Sequence, residues 1–513
     1  MSEEKKTTSV NRAKLYQLVL FPMNNGATNV YYILTMNFIA YYANGVLGLL
    51  LMFATTMVTV MRLFDAVTDP IIGALIDRTS TKFGKFRPYM VLGNVIMIVS
   101  SLLLYFGTRI ISQDLEWLRY VCFVLFYALY VIGYTFQTAC TRSGQTCLTN
   151  DPKQRPLFTV FNTIASLIGM GLVQFLAPIL SDKLGGYNSA AFFDFMIPLA
   201  IVVSAVLTLL AVIGIWEKDR PEYFGVGNQQ ERVKVKEYVA ILKANKELQR
   251  LMVAGAGCKL AFSIATNMTV LCMLYGAMMG NYNGLYLPMM IVGYVFSVPF
   301  FLLTVRTSQK HGQKASLVRY TTLALIMYVG VLVLLLFWKQ GNSAFNLSLS
   351  SINIYSILFI LFFGIGYGAY YATADMPIPM VADCSDYETY RSGRYIPGIM
   401  GTLFSLVDKL VSSLGSTIVG AAVAAIGIQT LPDGNTPYAD GMHGVVVILF
   451  CMVPMLAWIA TLIAMKGYSL TGARMKEIQA VNTVRKNGIS KGMTLEEAME
   501  TWQTLEDVPE EFR

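Results

Sequence analysis

Apolar stretches of about 20 residues or more recur along the whole chain, and each is long enough to cross a bilayer as a helix. A chain inside a membrane must satisfy its backbone hydrogen bonds internally, which favours helices for such stretches. The predicted spans are 16–44, 46–76, 88–108, 118–147, 157–180, 190–216, 248–278, 283–305, 315–338, 352–380, 396–427 and 441–466. The sequence therefore predicts an all-α membrane protein with twelve transmembrane helices.

The composition agrees with that class, because 55% of the residues are hydrophobic and 14% are charged, against roughly 25% charged residues in soluble domains. A polar segment separates two sets of six spans. We predict an N-terminal tail (1–15), a six-helix bundle (16–216), a linker (217–247), a second six-helix bundle (248–466) and a C-terminal tail (467–513).

Lysine and arginine are distributed unevenly between the two sides of the predicted bundle. The tails, the linker and the loops on their side carry most of these residues, whereas the opposite loops hold only Arg109, Arg119, Lys183 and Lys339. Loops rich in lysine and arginine stay in the cytoplasm. We therefore predict a multi-pass protein of the cell membrane with both termini cytoplasmic. The asymmetry also explains the net charge of +8 without a nucleic-acid partner.

Three charged residues interrupt the second span: Arg62, Asp65 and Asp69. Residues three or four apart share one face of a helix. Charges inside a membrane are costly, usually face the bundle interior, and mark ion or substrate pathways. Two carboxylates and one guanidinium leave a net charge near −1, which suits a bound Na⁺, Li⁺ or H⁺. The alternative is a buried ion-pair network with a structural role.

The sequence around these charges closely resembles the glycoside–pentoside–hexuronide:cation symporter family of the major facilitator superfamily. The matching motif runs from Arg62–Pro70 (RLFDAVTDP) to Asp77–Pro88 (DRTSTKFGKFRP), with weaker matches at Asp151–Arg155 and Ala382–Tyr387. The resemblance implies the major facilitator fold. It also implies secondary active transport, in which a glycoside, pentoside or hexuronide moves with Na⁺ or H⁺ by alternating access.

The resemblance assigns a cation site to Asp65, Asp69, Thr68 and Thr135. Carboxylate and hydroxyl oxygens are hard ligands that suit alkali cations. Asp69 could instead carry a proton if burial raises its pKa. The expected coupling ion is therefore Na⁺ or H⁺, and no other metal or cofactor is predicted.

The positions that bind sugar in the family have changed here. By the resemblance, Asn25 and Thr138 replace two sugar-binding aspartates, Asn162 replaces an arginine that supports the sugar site, and Arg142 replaces a tryptophan that stacks on the sugar. Three charges are lost and one cation is gained. A galactoside bound in the family's usual way is therefore not expected.

Two cations within the spans, Arg142 and Lys259, favour a negatively charged solute, because a guanidinium binds a carboxylate through two parallel hydrogen bonds. A hexuronide or another organic anion fits this interpretation. In the alternative interpretation both side chains reach water, and Arg142 pairs with Asp151. Lys409, where the family also has a lysine, completes the predicted substrate-binding set.

A second predicted set is a cytoplasmic gate, whose residues lie in the loops and helix ends on the basic side. These residues are Arg78, Lys85, Arg87, Arg155, Asp383 and Asp386.

Outside the spans, local patterns predict three further helices. The linker segment 232–250 is amphipathic, and 474–486 is followed by Asn487-Gly488, a pair typical of helix C-termini. Thr494 and Glu497 form a capping-box pattern that opens a short helix.

The sequence has no catalytic constellation, and no G-x-x-x-x-G-K-[S/T] loop that would indicate ATP-driven transport. We therefore predict a transporter rather than an enzyme. Two alternatives remain: a carrier of a non-sugar organic anion or an amphipathic, lipid-like solute, and a membrane sensor that transports nothing. The expected partners are a small sugar-like or uronide-like solute and the lipid bilayer, with the protein as a monomer.

Overall fold

The computed structural model describes residues 12–79, 81–149, 154–220, 242–393 and 397–510. Within these ranges, ten helices are long and apolar enough to cross a membrane, and a bent pair of helices makes an eleventh. The first predicted span is a further helical run, which widens into π-helical turns after Ile33. The all-α class and the twelve spans predicted from the sequence agree with this architecture.

The helices are labelled in chain order. The first six are α1 (Leu15–Leu20 and Met23–Ile33, continuing to residue 46), α2 (Leu51–Arg78), α3 (Arg87–Tyr105), α4 (Glu116–Leu148), α5 (Arg155–Leu184) and α6 (Ala190–Ile215). The others are α7 (Lys246–Ala265 and Met268–Met278), α8 (Tyr282–His311), α9 (Gln313–Phe337), α10 (Ile354–Thr373), α11 (Pro377–Ser392), α12 (Pro397–Ala425), α13 (Met442–Gly467), α14 (Gly472–Ser490) and α15 (Leu495–Thr501).

The chain forms two compact units. The N-terminal unit contains Met1–Gln230 with Gly420–Asn435, and the C-terminal unit contains Glu231–Val419 with Thr436–Arg513. The end of α12 therefore belongs to the N-terminal unit, although the rest of that helix belongs to the other one. The exact boundaries of the five regions predicted from the sequence remain a prediction.

Helix α2 of the N-terminal unit has two distinct faces. Exposed apolar residues form one face, and lipid chains suit such a surface. They are Val60, Leu63, Val67, Ile71 and Leu75. The opposite face is buried and includes Val58, Met61, Asp65, Thr68 and Ile72. The helical period thus places a carboxylate and a hydroxyl on the side that packs against other helices.

Glycines let α1 and α5 approach closely in the same unit. A Cβ on Gly169 would lie 2.2 Å from the carbonyl oxygen of Gly26, and a Cβ on Gly26 would lie 2.9 Å from the carbonyl oxygen of Ala165. Only glycine fits such a crossing, which resembles the small-residue contacts of membrane helices. The crossing brings Asn25 of α1 next to Asn162 of α5.

In the C-terminal unit, the tail helices pack against α11. Arg485 of α14 donates to the carbonyl oxygens of Tyr390 and Trp502, and Val481 and Val484 join a small apolar core beneath them. The capping box of Thr494 and Glu497 is confirmed, since each side chain binds the other's backbone N–H.

Two local predictions need correction. The tail helix does not end at Asn487-Gly488 but continues to Ser490, because Gly488 packs closely against the ring of Trp502. The predicted span 352–380 is broken between Thr373 and Pro377, where α10 ends and α11 begins. Most of the amphipathic linker segment lies outside the described residues.

Candidate cation and solute site

Asp65 is the most deeply buried acid of α2, and its side chain is paired on the same helix. Its Oδ2 lies 3.1 Å from a guanidinium nitrogen of Arg62, three residues earlier. Only 2% of the Asp65 side chain and 14% of the Arg62 side chain are exposed. The Arg62 guanidinium also lies over the ring of Tyr32, 5.3 Å from its centre. The pair is therefore held within the bundle by both charge and aromatic contact.

Two threonine hydroxyls lie beside Asp65, and one of them donates to its carboxylate. Thr135 of α4 donates to Asp65 Oδ1 at 2.9 Å, and its Oγ1 lies 3.2 Å from that of Thr68. Thr68 also hydrogen-bonds to the backbone carbonyl oxygen of Asp65. The structure thus brings together three of the four residues predicted to bind the cation. Their oxygens form a hard donor set for an alkali cation.

A small cavity lies beside this group. Its volume is about 20 Å³, and its walls include Tyr32, Tyr130 and Tyr134 as well as Arg62 and Asp65. This volume accommodates about one water-sized guest, so the cavity suits an ion or a water molecule rather than a sugar. The rings of Tyr32 and Tyr134 stack beside it, with centres 6.4 Å apart.

The fourth predicted cation ligand, Asp69, has a different environment. Its Oδ2 lies 3.6 Å from a guanidinium nitrogen of Arg142, which comes from α4. The side chains of Asp69 and Arg142 are 24% and 66% exposed, respectively. The alternative partner considered for Arg142, Asp151, lies outside the described residues. The ion pair found for Arg142 is therefore with a carboxylate predicted to bind the cation.

This pair changes the charge assigned to the site. Arg62, Asp65 and Asp69 alone carry a net charge near −1, whereas the addition of Arg142 brings the sum to zero. We call these four residues the N-terminal charge cluster. The net charge near −1 expected from the sequence does not hold for this arrangement, because the sequence does not reveal that Arg142 of α4 pairs with Asp69.

Three predicted solute-binding residues are uncharged and lie in the N-terminal unit. Asn25 donates to the backbone carbonyl oxygen of Asn162 at 3.3 Å, and Asn29 donates to the Asn25 side chain at 3.0 Å. The side-chain oxygen of Asn162 is buried and accepts no hydrogen bond from the described residues. Thr138, by contrast, donates to carbonyl oxygens of its own helix, at Tyr134 and Thr135.

The other two predicted solute-binding residues lie in the C-terminal unit. Lys259 of α7 forms ion pairs with Asp375 and, at 3.9 Å, with Asp408. Lys409 follows on α12 and is only 6% exposed. We call these four residues the C-terminal charge cluster. Lys259 therefore already has carboxylate partners, which weakens the argument that it awaits an anionic solute.

The predicted gate residues have several kinds of environment. Arg78 is exposed, the side chain of Arg155 lies outside the described part of the chain, and Asp383 and Asp386 are half-buried on α11. Lys85 and Arg87 both contact Asp219. Their proposed role as a gate remains a prediction.

Asp219 is a residue that the sequence analysis missed. Its fully buried carboxylate accepts the backbone N–H groups of Lys85, Phe86 and Arg87, at 2.8 to 3.2 Å, and the side chain of Arg87 at 3.4 Å. A carboxylate at this place satisfies the free amides at the start of α3 and suits the helix dipole. One feature of the sequence could have indicated such a partner: no residue with a capping side chain stands immediately before Arg87-Pro88.

Comparison with known proteins identifies the family. Residues 21–472 match the MFS/sugar transport protein family. The candidate glycoside/cation symporter YagG of Escherichia coli K12 is 24% identical over 451 residues, covering 86% of this chain and 89% of that protein. A glucuronide carrier protein homologue of the same bacterium is 22% identical over 472 residues, covering 90% and 94%.

Solved structures show the same fold. A bacterial homologue of the human drug peptide transporters PepT1 and PepT2 superposes with a TM-score of 0.58 at 12% identity, covering 88% of this chain and 98% of that one. At this identity the likeness concerns the fold alone. The family match and the apolar helices identify a multi-pass membrane protein. The chain belongs to the MFS/sugar transport protein family, as its resemblance to the glycoside–pentoside–hexuronide:cation symporters led us to expect.

Proposed function

We propose that this protein is a secondary active transporter that couples the movement of a glycoside, pentoside or hexuronide to Na⁺ or H⁺ by alternating access. The observation that carries the proposal is the buried Asp65 carboxylate, which lies inside a membrane helix and accepts a hydrogen bond from the Thr135 hydroxyl of another helix. A buried ionisable group in a membrane is retained where it serves an ion or solute pathway.

The cation would bind at the N-terminal charge cluster. Asp65, Thr68 and Thr135 supply oxygen ligands around the small cavity, and Asp69 supplies a second carboxylate one helical turn along α2. The similarity to a candidate glycoside/cation symporter supports this assignment. We place the transporter in the cell membrane, with both termini in the cytoplasm.

Coupling would follow from mutual stabilisation of the two bound ligands. If the cation raises the affinity for the solute, the solute must raise the affinity for the cation by the same factor. The uncharged Asn25 and Asn162 and the stacked rings of Tyr32 and Tyr134 supply amides and aromatic faces of the kind that contact sugars. We assign the solute to these groups together with Arg142.

The family match favours this function over the two alternatives raised by the sequence. A transporter family gives no support to a sensor that transports nothing, and this family consists of sugar transport proteins. The experiment below also tests transport of a non-sugar organic anion.

Uptake by purified protein in lipid vesicles tests the proposal. A panel of methyl glycosides, pentosides, methyl glucuronides and simple organic acids would be offered under an inward Na⁺ gradient, an inward proton gradient, or no gradient. We expect one sugar class to accumulate only with a cation gradient. Asp69→Asn should abolish accumulation, because a cation ligand is lost, whereas exchange without a gradient should persist.

The control variant is Asp194→Asn, which removes an acid of the same unit that pairs with Arg109 on the surface. It should leave accumulation intact. Equal uptake with and without every cation gradient would overturn cation coupling, and accumulation of organic acids alone would overturn the assignment of a sugar class.

A further inference from the structure

The two carboxylates of α2 are neutralised in different ways. The guanidinium that faces Asp65 comes from the same helix, is largely buried and lies within hydrogen-bond distance. The guanidinium that faces Asp69 comes from α4, is two-thirds exposed and lies 3.6 Å away, longer than the roughly 3 Å of a charge-assisted hydrogen bond. One pair is therefore a fixed part of the bundle, and the other can separate with little rearrangement.

From this difference we infer that an anionic solute draws the Arg142 guanidinium away from Asp69. The coupling cation can then bind to Asp69 in place of the guanidinium. The inference rests on the proposed function and narrows it to hexuronides or similar carboxylated sugars. It assigns Arg142 two partners in turn, the Asp69 carboxylate in the empty transporter and the solute carboxylate in the loaded one.

Charge balance supports this exchange. In the N-terminal charge cluster the two guanidiniums and two carboxylates sum to zero. One added cation alone would leave an excess positive charge in a region of low dielectric, which is costly. One cation together with one carboxylate restores a sum of zero. Binding of each therefore favours binding of the other, whereas an uncharged glycoside gives no such compensation.

The surroundings of Arg142 favour an anion as well. Thr138 lies one turn earlier on α4 and is uncharged, and the Asn25 and Asn162 amides across α1 and α5 carry no negative charge that would repel a carboxylate. An arginine side chain that remains exposed keeps its donors available to water or to a solute. The planar guanidinium matches a carboxylate through two parallel hydrogen bonds.

Binding measurements with two probes that differ only in charge test the exchange. Methyl β-glucuronide and methyl β-glucoside would be titrated by calorimetry into the full-length protein and its variants at saturating cation. Arg142→Gln should weaken glucuronide binding by about 30-fold or more, because the carboxylate of the bound solute loses its charged partner. Glucoside binding should change far less. Arg142→Lys should restore part of the glucuronide affinity, since lysine keeps the positive charge but cannot form the two parallel hydrogen bonds of a guanidinium.

The variant Asp69→Asn should change glucuronide affinity in the opposite direction to Arg142→Gln, and it separates the inference from a merely structural role of Asp69. If Asp69 competes with the solute for Arg142, its neutralisation should raise the glucuronide affinity measured without the coupling cation, by about fivefold or more for coupling of ordinary size. A residue with a merely structural role would lower it or leave it unchanged. The matched control is Arg109→Gln, which removes an arginine paired with Asp194 in the same unit and should alter neither probe.

Three results would overturn the inference: no glucuronide binding to the unaltered protein at millimolar concentrations, equal losses for both probes in Arg142→Gln, or weaker glucuronide binding in Asp69→Asn than in the unaltered protein when the coupling cation is absent. Cation-driven uptake of the glucoside alongside any of these would leave the proposed function standing. Conversely, if no cation gradient drives uptake of either probe, the proposed function fails, and the binding results still decide the role of Arg142.

Discussion

The two units of this transporter each place four charged residues in or next to apolar helices, yet they bury opposite signs. In the N-terminal charge cluster the most deeply buried member is the Asp65 carboxylate, at 1% exposed. In the C-terminal charge cluster it is the Lys409 ammonium, at 6%, whereas the Asp375 side chain is 71% exposed. Each set of four sums to zero, so net charge alone does not indicate which ion a cluster accommodates.

The sign of the buried group and the atoms that face it are more informative. The Asp65 carboxylate accepts a hydrogen bond from the hydroxyl of Thr135, and Asp65 lines a small cavity. Lys259 directs its ammonium at Asp375 and Asp408, so both acids of that cluster already face a cation from the protein. The N-terminal cluster is therefore the one suited to bind a cation, and four substitutions can break or sharpen this difference.

The largest effect is expected at Asp65. Asp65→Asn should reduce cation-driven uptake in vesicles to background, because the buried carboxylate is lost. It should also lower the free energy of unfolding, on the order of 3 kcal/mol, since Arg62 is left buried without its partner. The double variant Arg62→Gln/Asp65→Asn removes both charges and should regain stability without regaining coupling. Full accumulation in either variant would remove the distinction between the two clusters.

The next effect concerns a buried acid outside both clusters. Asp219→Ala leaves three buried or half-buried N–H groups without this acceptor and should cost on the order of 3 kcal/mol of stability, measured by thermal unfolding in detergent. The shift of the unfolding temperature on addition of the coupling cation should remain that of the unaltered protein. A lost cation response would mean that burial of an acid, rather than its oxygen environment, determines cation binding.

A smaller effect is expected at Thr135. Thr135→Val removes one hydroxyl from Asp65 and should weaken cation affinity about tenfold, the equivalent of one hydrogen bond to a charged group. Thr135→Ser keeps the oxygen and should bind the cation normally. Cation titrations followed by thermal shift give both affinities. An unchanged affinity in the valine variant would exclude the hydroxyl from the cation site.

The smallest effect should come from the C-terminal charge cluster. Lys259→Gln breaks an ion pair whose acid is largely exposed, so stability should change by roughly 0–1 kcal/mol. Cation affinity should stay within about twofold of the unaltered value, because no ligand of the N-terminal cluster is touched. A tenfold change in the same thermal-shift titration would show that the two clusters act as one.

The sequence predicted contacts along one helix better than contacts between helices. The pairing of Arg62 with Asp65 follows from a spacing of three residues, which any helix brings together. The capping box of Thr494 and Glu497 is equally local and was predicted correctly. Thr135 entered the cation site through resemblance to a family rather than through any pattern in this chain.

Contacts between distant segments depend on helix register and rotation, which a single sequence does not specify. Nothing in the sequence pairs Arg142 with Asp69, and the resulting charge of zero could not be foreseen. Asp219 and the α3 amides are more than a hundred residues apart, and no local pattern links them. The C-cap expected at Asn487-Gly488 failed for a related reason, because packing against Trp502 overrides local helix-ending preference.

The contact between Asp219 and the start of α3 also has a consequence for how the protein is made. Asp219 follows Lys85 by 134 residues, so at ordinary rates of synthesis it leaves the ribosome roughly ten seconds later. Until then the Asp219 carboxylate cannot accept hydrogen bonds from the amides of Lys85, Phe86 and Arg87. The cap at the start of α3 is therefore completed only after α6 has been made. A defect at Asp219 should appear first in newly synthesised chains, as premature degradation, rather than in the turnover of mature transporters.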